Sequence, residues 1–251
     1  MSITERILDV VERGERAVVF TVVEGEEAGA KLLVVEGEEP VGDAPRSLAA
    51  YAPEALRKAR NELVELDDMR VFAEVHGARP RLLVYGAVDT ADALCALARQ
   101  LGWRAIVGDA RAKFATHERL PHADEIVRGW PEEVLEQVQP DVQTAVVVLS
   151  HDDKFDVPAL LGAVRSEAFY VGAIGSRRTQ QRRGEKLLEA GMTGEELARI
   201  SGPCGLDVGA DTPSETALSI LAEILAVRAG RDGGRLQASK GRIHAGSPAA
   251  G

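Results

Sequence analysis

Apolar residues follow two different patterns along this chain, and the change lies near residue 78. Before it, short runs rich in β-branched residues are separated by polar segments, which predicts a small α+β unit. After it, continuous apolar runs alternate with segments in which apolar residues recur at helical spacing. That alternation is typical of a parallel sheet with helices on both faces. We predict an α/β chain with a small α+β domain over 1–78, a Rossmann-like domain over 79–230 and a flexible tail over 231–251.

Local signals place the elements of the first part. Ser2 and Glu5 have capping-box spacing ahead of an apolar-periodic stretch that ends at Gly14, so a first helix is expected there. The other expected elements are strands at 17–23, 31–35 and 69–75 and a helix-like segment at 46–67. No catalytic constellation is visible in this part.

In the second part, a breaker cluster at 77–80 precedes five candidate parallel strands. These strands are predicted at 82–85, 105–107, 126–127, 144–149 and 169–171. The last helix is strongly indicated, because Thr212 suits the cap, Pro213 the first helical position and Glu215 the capping box.

Ligands of open parallel sheets bind beyond the carboxyl ends of the strands, and the segment after the fifth strand has the composition of an anion site. Its glycines let the backbone approach a ligand closely, and free amides at the following helix start point outwards. Two arginines add planar guanidinium groups that suit phosphate or carboxylate oxygens. An ordinary turn with solvated arginines is the alternative. The predicted anion-binding residues are Gly172, Gly175, Ser176, Arg177 and Arg178.

The turn after the first parallel strand has half of a dinucleotide signature. Gly86 begins it, and Asp109 lies at a spacing that suits a ribose-binding acid. Val88 stands where the fingerprint requires glycine, and Asp89, at the expected helix cap, adds negative charge where a phosphate would lie. We retain Gly86 and Asp109 as candidate cofactor-binding residues, but the turn does not favour NAD(P).

A polar loop over residues 150–156 follows the most apolar strand. His151, nearest the strand end, could transfer a proton or hold a polar ligand. Asp156 is interpreted as the cap of the next helix. One turn into the helix after the fifth strand, Arg182 and Arg183 are expected to face solvent.

Cys204 lies in a tight loop of three glycines and a proline just before the last helix. A cysteine near a helix start and near arginines could have a lowered pKa and act as a nucleophile or soft metal ligand. A small buried residue is the alternative, and Cys95, on the inner face of a helix, suits that alternative better. Asp207 is predicted to line the same cleft. A structural zinc site is not expected.

Composition narrows the functional class further. The net charge of -10 disfavours non-specific binding to nucleic acid, so an anionic ligand requires a local cationic cluster. Two cysteines in 251 residues suit a reducing compartment. The N-terminus has no signal-peptide core and no run is long enough to span a membrane. These features predict a cytoplasmic protein.

Several separated motifs resemble the xanthine dehydrogenase accessory factor (XdhC/CoxI) family. They are YVGAIGSRRT at 170–179, SHDDKFDVPAL at 150–160, the long motif that begins PCGLDVGADTPSET at 203, and the pattern of Asp109-Ala110-Arg111, Phe114-Ala115 and Glu118-Arg119-Leu120-Pro121. The resemblance covers roughly residues 80 to 230.

The resemblance implies a chaperone for the molybdenum cofactor. Such proteins bind molybdopterin and assist its sulfuration and its insertion into molybdenum hydroxylases, such as xanthine or carbon monoxide dehydrogenase. Their fold is similar to the one predicted here, and they commonly form homodimers. A cysteine desulfurase is a possible second partner, and whether sulfur passes through Cys204 stays open.

This chain also departs from the family pattern. The family's glycine turn usually reads GAGHVA, where residues 86–91 read GAVDTA, and the usual GS-x-PR segment and glycine triplet are missing from the N-terminal part. Two alternatives to the chaperone therefore stay open. One is an NAD(P)-dependent oxidoreductase, and the other is a ligand-free scaffold that contacts a partner enzyme.

Overall fold

The structure is a computed structural model that describes residues 2–58, 61–66, 69–77 and 79–239. These residues form two compact units, the first ending at residue 77 and the second running from 79 to 239. The prediction of a Rossmann-like parallel sheet with a smaller α+β part is confirmed.

The first unit is an antiparallel sheet with helices. Its elements are α1 (Ile3–Arg13), β1 (Ala17–Glu24), β2 (Lys31–Val35), β3 (Val41–Gly42), a 3-10 helix (Arg46–Tyr51), α2 (Ala52–Lys58), β4 (Glu62–Leu66) and β5 (Met69–His76). The strand order is β3-β2-β1-β5-β4. The capping box of Ser2 and Glu5 and the end of α1 at Gly14 are confirmed, and Gly14 adopts the left-handed conformation.

The helix-like interpretation of 46–67 is wrong over its last part. Residues 62–66 form β4, which pairs antiparallel with β5. Pairing with a neighbouring strand decided the conformation there, because β structure depends on tertiary partners that local propensity does not reveal.

The second unit is a six-stranded parallel sheet covered on both faces. Its strands are β6 (Arg81–Tyr85), β7 (Arg104–Gly108), β8 (Glu125–Val127), β9 (Thr144–Val148), β10 (Tyr170–Ala173) and β11 (Ile200–Ser201). Its helices are α3 (Asp89–Gln100), α4 (Pro131–Val138), α5 (Asp153–Arg165), α6 (Arg177–Glu189), α7 (Gly194–Ala198) and α8 (Pro213–Arg228). The five strands and the final helix that the sequence predicts are present, whereas α7 and β11 were not predicted.

The strand order β11-β10-β9-β6-β7-β8 is the doubly wound Rossmann order. The chain starts at β6, proceeds to β7 and β8, and then returns to the other side of β6 at β9. A crevice therefore opens between the carboxyl ends of β6 and β9, at the point where a ligand of such a sheet usually binds.

Two apolar clusters cover the two faces of this sheet. One includes buried side chains of α3 and α8, and the other includes side chains of α4, α5 and α6. The cap of α8 is a complete capping box between Thr212 and Glu215, as predicted. None of the helices within the described ranges is long and apolar enough to cross a bilayer.

The predicted flexible tail lies only partly within the structure. Residues 231–239 are described and include a single 3-10 turn, Leu236–Ala238. The rest of that segment lies outside the described residues.

Candidate functional site

The turn after β10 joins the end of that strand to the start of α6. Gly175 has φ = +142°, a conformation that side-chain-bearing residues rarely adopt. Ser176 then caps α6 by accepting a hydrogen bond from the backbone N of Thr179 at 3.1 Å. Arg177 and Arg178 are the first two helical residues, and both are exposed. Neither has an ion-pair or hydrogen-bond partner within the described ranges.

The carbonyl groups of this turn accept hydrogen bonds from side chains of α6. Gln180 Nε2 donates to the carbonyl oxygens of Ala173 and Ile174, at 3.0 and 3.3 Å. Arg183 Nη1 also donates to Ile174 O, at 3.1 Å. Since these carbonyls are occupied by α6, the turn is fixed relative to the helix start that follows it.

Arg183 itself is buried, at 2% exposure, and forms an ion pair with the equally buried Asp156 of α5. Its Nε and Nη2 both donate to Asp156 Oδ2, at 3.0 and 2.6 Å. Burial raises the pKa of Asp156, although Arg183 opposes the shift. The interpretations of Asp156 as a cap and of Arg183 as solvent-facing are therefore wrong. Asp152 caps α5 instead.

His151 lies at the end of β9, next to this ion pair. It is exposed, and among the residues described no side chain or backbone group hydrogen bonds to it. Its charge, when present, lowers the pKa of Asp156. His151 is thus placed at the sheet edge that the sequence predicts, but no described contact gives it a chemical role.

The loop that carries Cys204 is packed against the turn after β10 and against α8. The backbone N of Cys204 donates to Ala173 O at 3.0 Å. Glu223 of α8 accepts hydrogen bonds from Tyr170 Oη at 2.7 Å and from the backbone N of Gly205. The two segments that were predicted to share a cleft are therefore joined directly by a backbone hydrogen bond.

The environment of Cys204 favours a protonated thiol. Burial, and secondly the charge of Glu223, raise its pKa to about 12. The expectation of a lowered pKa is wrong, because burial and the charge of Glu223 outweigh the opposing charge of Arg183. Cys95 fits the interpretation as a core residue, since it is fully buried in α3.

We expect Cys204 to react slowly with thiol reagents. At pH 8 a thiol with a pKa near 12 has a thiolate fraction roughly a thousandfold below that of an unperturbed cysteine, and thiolate is the reactive species. Iodoacetamide labelling followed by mass spectrometry of the folded protein measures this. Replacing Glu223 with glutamine should accelerate labelling at Cys204 while Cys95 stays unlabelled. Labelling of wild-type Cys204 as fast as a free cysteine would contradict the assignment.

At the crevice between β6 and β9, Asp109 connects the first two strand ends. Gly86 has φ = +115°, and a Cβ there would lie 3.1 Å from the backbone of Leu149 and Ser150, so only glycine fits this close approach. The backbone N of Ala87 donates to Asp109 Oδ2 at 2.7 Å. Arg111 donates to the same carboxylate from its backbone N, Nε and Nη2, at 2.7, 3.0 and 2.7 Å.

Burial alone would raise the pKa of Asp109, but the hydrogen bonds from Arg111 and the Ala87 amide outweigh it and hold the pKa below its usual value. Both carboxylate oxygens are used by these donors. Val88, rather than Asp89, is the cap residue of α3, and it has no side-chain capping bond. The turn thus lacks the glycine that a dinucleotide fingerprint requires at position 88. In addition, the carboxylate of Asp109 already accepts hydrogen bonds from Ala87 and Arg111.

The remaining candidate, Asp207, is exposed in the loop before α8, with no partner inside the described segments. Sequence reasoning missed three residues that organise the site, namely Gln180, Glu223 and Arg111. Helical spacing could have placed Gln180 and Arg183 on one face of α6, since they are three positions apart. Within the part of the chain that the structure describes, no group of three or more His, Cys, Asp or Glu side chains is arranged to hold a metal ion.

Comparisons with known proteins agree with this architecture. A family model described as the XdhC Rossmann domain matches residues 82–224. The chain is 34% identical over 170 residues to an uncharacterized protein, YqeB, of Escherichia coli, 66% of this chain and 30% of the relative. It is 31% identical over 150 residues to a protein of Bacillus subtilis named as a probable subunit of xanthine dehydrogenase, 60% of this chain and 43% of the relative.

A third relative is the molybdenum cofactor insertion chaperone PaoD of Escherichia coli, 34% identical over 154 residues, 61% of this chain and 42% of that protein. The matches thus span less than half the length of these curated relatives. Among solved structures, a xanthine dehydrogenase from Bacillus halodurans matches with a TM-score of 0.68 at 20% identity, over 90% of this chain and 66% of that one. A likeness at that identity shows the fold alone.

Proposed function

The chain belongs to the XdhC family, and from this we propose that it is an accessory protein for molybdenum enzymes that binds the molybdenum cofactor as cargo. The observation that supports the proposal most is the turn after β10, where Arg177 and Arg178 stand unpaired beside a capped helix start within the described region. One relative is named a molybdenum cofactor insertion chaperone. Another is named as a probable component of xanthine dehydrogenase.

The turn fits the phosphate end of molybdopterin. Helix starts and glycine turns offer backbone amides to an anion, and two free guanidinium groups offer charge-assisted hydrogen bonds. In a chain with a net charge of -10, two unpaired arginines side by side are a local exception. We therefore propose Gly172, Gly175, Ser176, Arg177 and Arg178 as the binding residues.

Cys204 does not fit a sulfur-transferring nucleophile, because burial and Glu223 raise the pKa of its thiol to about 12 and the thiolate is the reactive form. If this chain assists sulfuration, the sulfur more simply comes from a separate cysteine desulfurase. We propose that Cys204 shapes the loop rather than transferring sulfur. His151 and Asp207, both exposed at the same edge of the sheet, are proposed to contact the cargo from the side.

The proposed client is a molybdenum hydroxylase, such as xanthine or carbon monoxide dehydrogenase, and the proposed assembly is a homodimer in the cytoplasm. The cytoplasmic setting rests on the two cysteines in 251 residues. The client rests on the names of the relatives.

Replacing both Arg177 and Arg178 with alanine is expected to reduce cofactor retention strongly. Each charge-assisted hydrogen bond contributes about 1.5–3 kcal/mol, so losing one from each arginine should raise the Kd for the cargo by about 10²–10⁴-fold. Molybdenum and pterin are measured in protein purified from cells that make the cofactor. A matched control is Arg182→Ala with Lys186→Ala, which removes two cations of the same helix that lie near Asp153.

Retention that falls only in the first variant supports the proposal. Equal retention in both variants removes Arg177 and Arg178 from the site. Wild-type protein with tightly bound NAD(P) and no pterin would instead favour the oxidoreductase alternative. Protein that retains neither but still binds the client enzyme would favour the scaffold.

A further inference from the structure

A second cationic cluster surrounds the aromatic ring of Phe114, in the segment after β7. The Arg111 guanidinium carbon, Lys113 Nζ and the Arg119 guanidinium carbon lie 4.6, 4.8 and 4.9 Å from the ring centroid. Each contact is favourable by itself. Three cations around one ring also repel one another, so the arrangement requires a structural anchor or a negative partner.

Phe114 and the residue after it anchor this segment. Phe114 is half-buried and packs against the apolar cluster of α3 and α8. The next residue, Ala115, is fully buried, and its carbonyl accepts a hydrogen bond from Arg128 Nε at 3.0 Å. The segment that carries Phe114 and Ala115 therefore packs on the core of the second unit, and this packing positions its three cations at the surface.

The negative charge nearby is incomplete. Arg111 is neutralised by Asp109. Among the residues that the structure describes, Arg119 pairs with one carboxylate, Asp89, at 3.7 Å, and that side chain is 85% exposed. Lys113 has no carboxylate or hydrogen-bond acceptor in the described portion of the chain. Two exposed cations thus flank the ring. One is paired with an exposed carboxylate, and the other has no carboxylate partner within the described residues.

The cluster lies beside the crevice between β6 and β9. Asp109 joins the first turn, through the amide of Ala87, to Arg111 of the cluster. In dinucleotide-binding sheets an acid at this strand end accepts from the ribose hydroxyls, whereas an arginine nearby accommodates a phosphate. Both oxygens of Asp109 are already bonded, so the groups that remain available here are cations.

We propose that Arg111, Lys113 and Arg119 form a phosphate-binding site at the end of β7. Arg111 is held by Asp109 with its side chain 41% exposed. Lys113 supplies a charge with no carboxylate partner among the described residues, and Arg119 supplies one that is paired there only with the exposed Asp89. The ligand class is a phosphate group carried by a molecule that lies over the β6–β9 crevice, and a bare ribose diol is disfavoured. This site follows a different strand from the Arg177–Arg178 turn and does not depend on the proposed cargo.

Inorganic phosphate titrated into ¹⁵N-labelled full-length protein tests the proposal by NMR. The amides of Ala87 and of residues 111–119 are expected to shift saturably. The double variant Lys113→Gln with Arg119→Gln leaves the hydrogen bonds between Asp109 and Arg111 intact. It should raise the Kd for phosphate, measured from these shifts, about 10-fold or more. The matched control, Arg177→Gln with Arg178→Gln, should leave them unchanged. D-ribose should shift none of them.

Three outcomes overturn the proposal. The first is shifts of equal size with sodium chloride at the same ionic strength, which would indicate screening alone. The second is an unchanged Kd in the Lys113 and Arg119 double variant. The third is shifts by D-ribose at the amide of Ala87, which would mean that Asp109 accepts a ribose. Loss of cofactor retention in the Arg177 and Arg178 variant leaves these results unaffected, so the two proposals fail independently.

Discussion

Replacing Arg183 with methionine is expected to lower the free energy of unfolding by about 3–5 kcal/mol, because it leaves the buried Asp156 carboxylate without its partner. Both side chains are only 2% exposed, so water cannot replace the lost hydrogen bonds. Methionine keeps most of the volume, so the loss reports the electrostatics rather than a cavity. Chemical denaturation at pH 7 measures it.

The same substitution should also change how the free energy of unfolding depends on pH. Burial already raises the pKa of Asp156, and removal of Arg183 raises it further. A raised native pKa means stability that is present at low pH and lost as the pH rises through it. The variant should therefore recover stability on acidification. Arg182→Met, on the exposed side of α6, is the control and should change stability by less than about 0.5 kcal/mol. An equal loss in both variants, or a loss independent of pH, would contradict the assignment.

Replacing Asp109 with asparagine is expected to cost about 2–3 kcal/mol at pH 7. An amide oxygen can still accept a hydrogen bond from Ala87, but it cannot match a charge that holds Arg111 through three donors. The pKa of Asp109 lies below its usual value in the folded protein. Its contribution is therefore present above the pKa of the unfolded chain and lost as the pH falls through the folded one.

The difference between wild type and Asp109→Asn should accordingly be largest near neutrality and shrink from about pH 5 downwards. Thermal or chemical unfolding across that range measures the difference. Asp89→Asn is a suitable control, because that side chain is 85% exposed and the cation that pairs with it in the described part of the chain, Arg119, is 3.7 Å away. A constant difference in the free energy of unfolding from pH 7 to pH 3 would show that the carboxylate charge does not stabilise the contact between Asp109 and Arg111.

The fold was predictable from the sequence because its signals are local. Apolar runs ending in glycine identify buried parallel strands, and the capping box at Thr212 and Glu215 marks the last helix without reference to any other element. The turn at Gly175 and Ser176 was readable for the same reason. Its conformation depends on glycine and on a cap that acts within three residues.

The partners of side chains were not predictable in that way. Asp156 looks like a cap by its position, but Arg183, 27 residues later, buries it. Asp109 has the spacing of a ribose-binding acid, yet an arginine only two residues away occupies it. Arg111 was quoted within a motif and given no role, because its geometry depends on the β6 and β7 ends meeting in space.

The reactivity of Cys204 was also not predictable from the sequence. The sequence places it among glycines near a helix start, which favours a reactive thiol. The charge that matters most belongs to Glu223 of α8, whose carboxylate also receives Tyr170 Oη and the Gly205 amide. A carboxylate on a distant turn of a helix cannot be assigned to a loop from spacing alone.

The hydrogen bonds that Glu223 accepts from Tyr170 and Gly205 have a consequence for the order in which this part of the protein folds during synthesis. The loop around Cys204 is tied to Glu223, and α8 packs with α3 in one apolar cluster. A nascent chain that has emerged only as far as residue 212 lacks the helix that closes both. The carboxyl edge of the sheet should therefore take its final shape only after residues 213–228 have emerged and α8 has packed against α3.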